Sequence, residues 1–398
     1  MLSNETLSKG SIMASRRAQE VPWSGIRKMF ELAAKEPDAV TFAVGQPDFA
    51  TPRHIVEAGQ RALEEGYTRY APGLGYLALR EAIARKVWRD NKMEADPQTE
   101  IVVTVGAMEG LLLSLMAAVD PGDEVIIPDP GYTNYESVVR VINGVPVSVP
   151  VREENDFRYS PDDVEQAITE RTKVLVLNSP ANPTGAVMLK SDVEQMADIA
   201  QRHNLIVLSD EAYEKLIYGG LEHVSIASLP GMKGRTVSVY TLSKTYAMTG
   251  WRVGFVVGGE RLIDQMHKMQ EGVVSCVASF VQQAAIAALD GPQECVGEMV
   301  AEYDVRRKFI VRALNEIEGI SCVEPKGAFY AFPNISALGR SSSEVAMSLL
   351  ETSKVVCVPG TAFGFQGEGY LRISYASSLQ DLEEGARRIR DGVRKLQG

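Results

Sequence analysis

Between residues 100 and 260 short apolar runs alternate with stretches whose apolar residues recur at helical spacing. Ile101–Val105, Val125–Pro128, Val145–Val149, Lys173–Asn178, Leu205–Asp210, Thr236–Thr241 and Arg252–Gly258 read as strands. Leu111–Val119, Tyr132–Ile142 and Lys190–Asn204 read as helices among them. Strands this apolar, separated by helices, belong in a buried sheet that is mostly parallel. The pattern therefore predicts an α/β fold with helices on both faces of the sheet.

The flanks read differently. Residues 1–20 are polar and suit an extended arm or a first helix. Pro22–Ala34 has helical spacing through Ile26, Met29, Phe30 and Ala33, and Val40–Val44 is a strand that runs into Gly45 and a Pro-Asp turn. His54–Glu65 and Leu77–Asn91 read as helices, separated by a loop from Tyr67 to Gly75 rich in glycine and aromatics. Leu262–Leu289 reads as helical throughout. After Asp290-Gly291-Pro292 the strict alternation is lost. Glu294–Glu318, Ser343–Lys354 and Gln380–Gln397 read as helices, Cys322–Pro333 as a strand pair around Gly327, and Val355–Pro359 and Tyr370–Ser374 as strands. This α+β character predicts a large domain at 46–289 and a small one built from 1–45 and 290–398. The chain contains no internal repeats.

Composition narrows the function. The 398 residues suit two domains, and 45% apolar with 23% charged residues is an ordinary globular balance. A net charge of −11 with scattered Lys and Arg disfavours nucleic acid and membrane surfaces, which need a cationic footprint. The four cysteines are widely spaced and the four histidines form no cluster, so no metal site is expected and a reducing cytoplasm fits best. The first ten residues lack the apolar core of a signal peptide, and Leu111–Val119 is too short to span a bilayer.

The chemistry centres on Lys244. It follows the β-branched run Thr236–Thr241, so it sits where a buried strand ends and open α/β sheets present their ligands. Desolvation there can release the amine to condense with an aldehyde. Arg252, eight residues on, offers a fork for an anion such as phosphate. Asp210 and Glu211 close another strand, where an acidic pair is also an ordinary helix cap. Asn182 lies in a rigid Asn-Pro-Thr-Gly turn after a third. Gly106-Ala107-Met108 opens a helix, whose amides attract anions.

The stretch Ser243-Lys244-Thr245-Tyr246-Ala247-Met248-Thr249-Gly250-Trp251-Arg252-Val253-Gly254-Phe255 resembles the lysine signature of the class I/II aminotransferases, pyridoxal-phosphate enzymes of fold type I. The resemblance runs from about Gly45 to Ser378, with its motifs in the family's order. It implies that Lys244 carries pyridoxal 5′-phosphate and serves as acid and base. It further implies that Asp210 faces the ring nitrogen, and that Tyr213 and Asn182 hold the phenolic oxygen. Gly106, Ala107, Met108, Thr241, Ser243 and Arg252 would cradle the phosphate, while Tyr132 stacks on the ring. Gly45 and Arg372, the latter in Leu-Arg-Ile-Ser, would bind the substrate carboxylate. Tyr70 would reach the partner's phosphate in a homodimer with shared sites.

The implied reaction is ping-pong transfer of an amino group between an L-amino acid and a 2-oxo acid. A carbon–sulfur β-lyase, an aminocyclopropane-carboxylate-type synthase and an aspartate-specific aminotransferase share these residues. Met108 stands where some relatives place a lysine for a second carboxylate. Glu109 beside it would repel such a group if it faced the pocket, and Tyr132 and Phe329 offer apolar walls. Neutral amino donors, aliphatic or aromatic, are therefore expected, with 2-oxoglutarate or pyruvate as acceptor.

Overall fold

In the computed structural model, residues 14, 15, 18, 19, 21, 23 and 25–397 are described. Most of the predicted N-terminal arm lies outside them. A central sheet of seven strands has the order β2-β8-β7-β6-β5-β3-β4. The strands are β2 (Ile101–Thr104), β3 (Glu124–Asp129), β4 (Val145–Pro150), β5 (Thr172–Asn178), β6 (Ile206–Asp210), β7 (Thr236–Thr241) and β8 (Gly254–Gly258). All run parallel except β8, which pairs antiparallel with both its neighbours.

The strands read as continuous apolar runs because both faces are covered. Along β5, Leu175 and Leu177 enter one core, and Val174 and Val176 enter another. Along β2, Ile101 and Val103 face one way and Val102 the other. The two-residue period of a strand thus demands an apolar residue at every position. Helix α4 (Gly106–Ala118) covers one face. It lies close to the sheet because Gly110 has no Cβ, which would sit 2.9 Å from Val256 and 3.0 Å from Val239.

Two smaller sheets complete the fold. Strand β1 (Val40–Thr41) pairs parallel with β10 (Val355–Val356). Strand β12 (Leu371–Ser374) lies between β11 (Val358–Pro359) and β9 (Tyr330–Ala331), antiparallel to both. Their core includes α11 (Glu294–Asn315), α12 (Ser342–Ser353) and the closing helix α13 (Leu379–Gln397), through Tyr303, Leu349 and Ile389. Among the described residues no helix is long and apolar enough to cross a membrane.

Several boundaries depart from the sequence reading. The helical stretch Leu262–Leu289 is two helices, α9 (Glu260–Val273) and α10 (Ser279–Asp290). Between them Ser275 takes a positive φ of 65°, and the Ser279 hydroxyl donates to the carbonyls of Tyr67 and Arg69 at 2.8 and 2.9 Å. Docking of the aromatic loop, not periodicity, sets that break. The strand pair expected at Cys322–Pro333 shrinks to β9 and isolated bridges. The run Val355–Pro359 divides at Cys357 and serves two sheets. Helix α4 begins at Gly106 rather than Leu111, and α5 (Asn134–Val141) begins two residues after Tyr132.

Behind β6 lies a buried polar network. The Lys86 ammonium, on α3 (Leu77–Asn91), donates to Glu214 and, at 2.7 Å, to Asn91. Asn91 donates to Glu211 and Glu214, and Ser209, Ser225 and His223 complete the shell of Glu211. Glu211, Glu214 and His223 come within metal-ligand reach of one another, yet these carboxylate oxygens already accept protein hydrogen bonds. Burial opposes the charge on Glu211, but His223 and Ser225 hold its pKa down at about 2. Removing one partner from such a network strands a buried charge. Lys86→Met should destabilise the protein by about 3–5 kcal/mol, read as a lower urea midpoint. Adding Glu214→Leu should restore much of the loss, and a single variant as stable as wild type would refute the coupling.

Candidate active site

The carboxyl ends of β5, β6 and β7 open into a crevice of about 340 Å³. Lys244 reaches it from α8 (Leu242–Thr245), a single turn capped by the Thr241 hydroxyl, which accepts from the Ser243 amide at 3.2 Å. The Lys244 ammonium donates to the Gly45 carbonyl at 2.7 Å and lies 5.8 Å from the Phe329 ring centre. Burial lowers its pKa to about 8, helped by the charges of Arg252 and Arg372. It is therefore an amine that reaches its nucleophilic form close to neutral pH.

Asp210 ends β6. Its oxygens accept from the Tyr135 hydroxyl at 2.6 Å and from the Ala212 amide at 3.2 Å. Burial pushes its pKa up to about 6, against the pull of those two donors. Among the described residues no cation hydrogen-bonds to it. A buried carboxylate in that position is matched by a cationic N–H brought by a ligand.

Asn182 comes from the turn after β5. Its Oδ1 accepts from Arg372 at 3.3 Å, which leaves its Nδ2 as the group able to donate to a ligand. The Tyr213 hydroxyl lies 2.9 Å from that of Tyr330. Tyr132 packs edge-on to Tyr135, and its hydroxyl accepts from Asn134 at 2.9 Å. Burial raises the Tyr132 pKa to about 12, so it stays a neutral phenol.

The start of α4 forms the other end of the crevice. Gly106 has a φ of 69°, and a Cβ there would sit 2.6 Å from Arg252 Nη2, so only glycine permits the approach. Arg252 adopts a positive φ of 54° and donates to the Thr249 carbonyl at 2.9 Å. The hydroxyls of Thr241 and Ser243 are 2.9 Å apart. Helix amides, two hydroxyls and a guanidinium make a set that suits a phosphate.

Arg372, on β12, is fully buried. It donates to the carbonyl of Ala43 and lies between the rings of Tyr330 (4.7 Å) and Phe363 (4.9 Å). Its buried Nε has no partner, so the guanidinium keeps a donor for an incoming carboxylate. Gly45 is forced to be glycine: a Cβ would lie 2.1 Å from the Tyr330 hydroxyl.

Two sequence expectations change. Glu109 does not face the crevice; its carboxylate turns back to the Val105 amide and is buried. Phe329 does not wall the pocket, because it is fully buried beneath Tyr213 and Tyr330. Tyr70 is 90% exposed and does not line the crevice of this chain. Met108 does line the crevice, with its sulfur 3.5 Å from the Tyr132 hydroxyl. The sequence reading missed Tyr135, the donor to Asp210, and the role of Tyr330. It also missed Ile26, which α1 (Gly25–Ala33) brings to the crevice. A buried carboxylate's need for donors was the available signal for Tyr135.

Comparison with known proteins places this geometry. Residues 37–389 match the family model described as aminotransferase class I and II. An aspartate aminotransferase of Pyrococcus abyssi is 47% identical, over 96% of this chain and 98% of the relative. An aromatic-amino-acid aminotransferase of Thermococcus litoralis is 45% identical, over 94% of this chain and 97% of the relative. The crystal structure of an aromatic aminotransferase from Pyrococcus horikoshii superposes with a TM-score of 0.89 at 45% identity, covering 92% of this chain and all of that one. With the lysine, aspartate and arginine of the crevice converging as they do, the chain belongs to the class I and II aminotransferases, a pyridoxal-phosphate-dependent family, and is an aminotransferase of fold type I.

Proposed function

We propose that this crevice holds pyridoxal 5′-phosphate and that the enzyme moves amino groups from neutral L-amino acids to 2-oxo acids. The observation that carries the reading is the isolated, buried Asp210 carboxylate facing the same cavity as an amine of lowered pKa. When bound, pyridoxal 5′-phosphate supplies an aldehyde that exchanges amines and a ring that delocalises electron density from Cα.

The chain's own residues then have defined tasks. Asp210 keeps a proton on the ring nitrogen. Tyr213 and Asn182 donate to the phenolic oxygen. The amides of Gly106, Ala107 and Met108, with Thr241, Ser243 and Arg252, hold the phosphate, and Tyr132 covers the ring. Arg372 takes the α-carboxylate beside Gly45. Lys244 anchors the cofactor and, once displaced, moves the proton at the substrate Cα. The division into 46–289 and 1–45 with 290–398 belongs to this reading: the seven-stranded sheet falls in the first part, and the two smaller sheets in the second.

Donor choice follows from the remaining wall. Among the described residues lining the crevice, the cations are Lys244, Arg252 and Arg372, and each already has a task. Ile26, Met108 and Tyr132 are left for the substrate side chain. A distal carboxylate would be buried there without a partner cation, at a cost of several kcal/mol. The relative named aspartate aminotransferase favours a second reading, in which the partner subunit supplies that cation.

Lys244→Ala should lose the visible absorbance of the cofactor-loaded protein and its covalent capture by borohydride. In wild type, capture of the free aldehyde should speed up as pH rises through about 8 and level off above it, because the reactive amine is the deprotonated form. Wild-type turnover by the alanine variant would sink the assignment. In steady-state kinetics, phenylalanine, methionine or alanine should exceed aspartate in kcat/KM. An advantage of roughly tenfold for aspartate, about 1.4 kcal/mol, would establish the second reading instead. The exposed Tyr70 ring fits a partner's phosphate site, so the active species should sediment as a dimer, and Tyr70→Phe should weaken cofactor retention. A fully active monomer would contradict the shared site.

A further inference from the structure

Asp129 is a buried carboxylate that the chemistry above does not use. It ends β3, immediately before the turn Pro130-Gly131 that presents Tyr132. Its two oxygens accept the amides of Phe365 and Gln366, at 3.2 and 3.0 Å. Beside this, the Gly131 amide donates to the Phe363 carbonyl at 2.8 Å. Three hydrogen bonds thus clip the turn after β3 to the loop Gly360–Gly369.

That loop is rooted on the strand of the substrate arginine. It leaves β11 at Pro359 and re-enters β12, where Val358 pairs with Arg372 and Pro359 with Leu371. At its base the Gly360 amide donates to the Tyr370 carbonyl at 2.8 Å. Near its tip, Gly364 has a φ of 131°, and a Cβ there would lie 2.0 Å from Asp129 Oδ1. Only glycine lets the carboxylate come so close. The same loop lays the Phe363 ring 4.9 Å from the Arg372 guanidinium.

We propose that Asp129 is a positioning residue for the substrate carboxylate: by clipping the Phe363 loop to the Tyr132 turn, it fixes the distance between Arg372 and the cofactor side of the crevice. The inference rests on the reading of Arg372 as the carboxylate clamp. The physical basis is that Arg372 keeps its own partners, Ala43 and Asn182, without Asp129. Its charge would remain when Asp129 is removed, but the loop that carries the Phe363 ring would lose two of its three ties to the turn after β3. A carboxylate held by a planar bidentate fork is sensitive to small displacements of that fork. The Phe365 and Gln366 amides would turn to water, which an exposed loop tolerates.

The test uses the cofactor-loaded enzyme. Asp129→Ala should raise KM for both the amino acid and the 2-oxo acid by about tenfold, with kcat changed by about threefold or less and cofactor retention unaltered. Asp129→Asn, which keeps one acceptor oxygen, should recover part of the loss. Gly364→Ala attacks the same contact from the loop and should reproduce the rise in KM even if Asp129→Ala folds poorly. The decisive readout is discrimination between phenylalanine and 2-phenylethylamine, which lacks the carboxylate, in the first half-reaction. Asp129→Ala should narrow that preference by slowing phenylalanine alone. Unchanged KM values, or equal losses with both amines, would overturn the proposal. Arg372→Ala serves as the control: if it left the discrimination intact, the reading of Arg372 would fall, independently of any effect at Asp129.

Discussion

A lysine ammonium and an aspartate carboxylate share one crevice without hydrogen-bonding to each other. Each is destabilised by burial: Lys244 falls to a pKa of about 8 and Asp210 rises to about 6. A direct ion pair would have relieved both, and would have left nothing reactive. The fold keeps them apart by placing them on neighbouring strand ends, with Lys244 tied to Gly45 and Asp210 tied to Tyr135. The rest of the site manages this unresolved charge.

The parallel sheet is what makes the separation possible. Asn178, Asp210 and Val239 lie in register across β5, β6 and β7, so successive strand ends open toward the same crevice. Helix α4 adds its amides at the far end, and Arg252 closes over Gly106. The substrate side is built from elsewhere. Arg372 arrives on a small antiparallel sheet, and the loop that carries one of its two flanking rings, Phe363, is held by contacts to the end of β3. In the proposed reading, cofactor chemistry and substrate recognition fall to different sheets, whose residues also pack into one apolar core.

The buried network behind β6 has the opposite character. Lys86, Asn91, Glu211 and Glu214 pair with one another, with His223, Ser209 and Ser225 completing the shell of Glu211. Asp210 and Glu211 are adjacent in sequence but point to opposite fates. One is left short of a cation and is reactive; the other is fully paired and structural. Glu211 lies one residue past the end of β6, and its carboxylate turns to Asn91, Ser209, His223 and Ser225, whereas Asp210 lines the crevice.

Much of this was legible along the chain. The strands announced themselves as apolar runs, because a sheet covered on both faces needs apolar residues at every position. Lys244, Asp210, Asn182 and the Gly106 turn could be placed because each follows such a run directly, and strand ends converge by construction. Other features depend on residues far apart in sequence. The break between α9 and α10 is set by the docking of the Tyr67–Gly75 loop, since both halves have equally good helical spacing. Tyr330 meets Tyr213 across 117 residues of chain. Local periodicity reports the environment of one element, so the sequence alone determined the sheet, the strand-end chemistry and the family. Which side chains finally face the crevice, and how the loop beside Arg372 is tied to the end of β3, was decided by packing between distant elements, because long-range contacts leave no period along the chain.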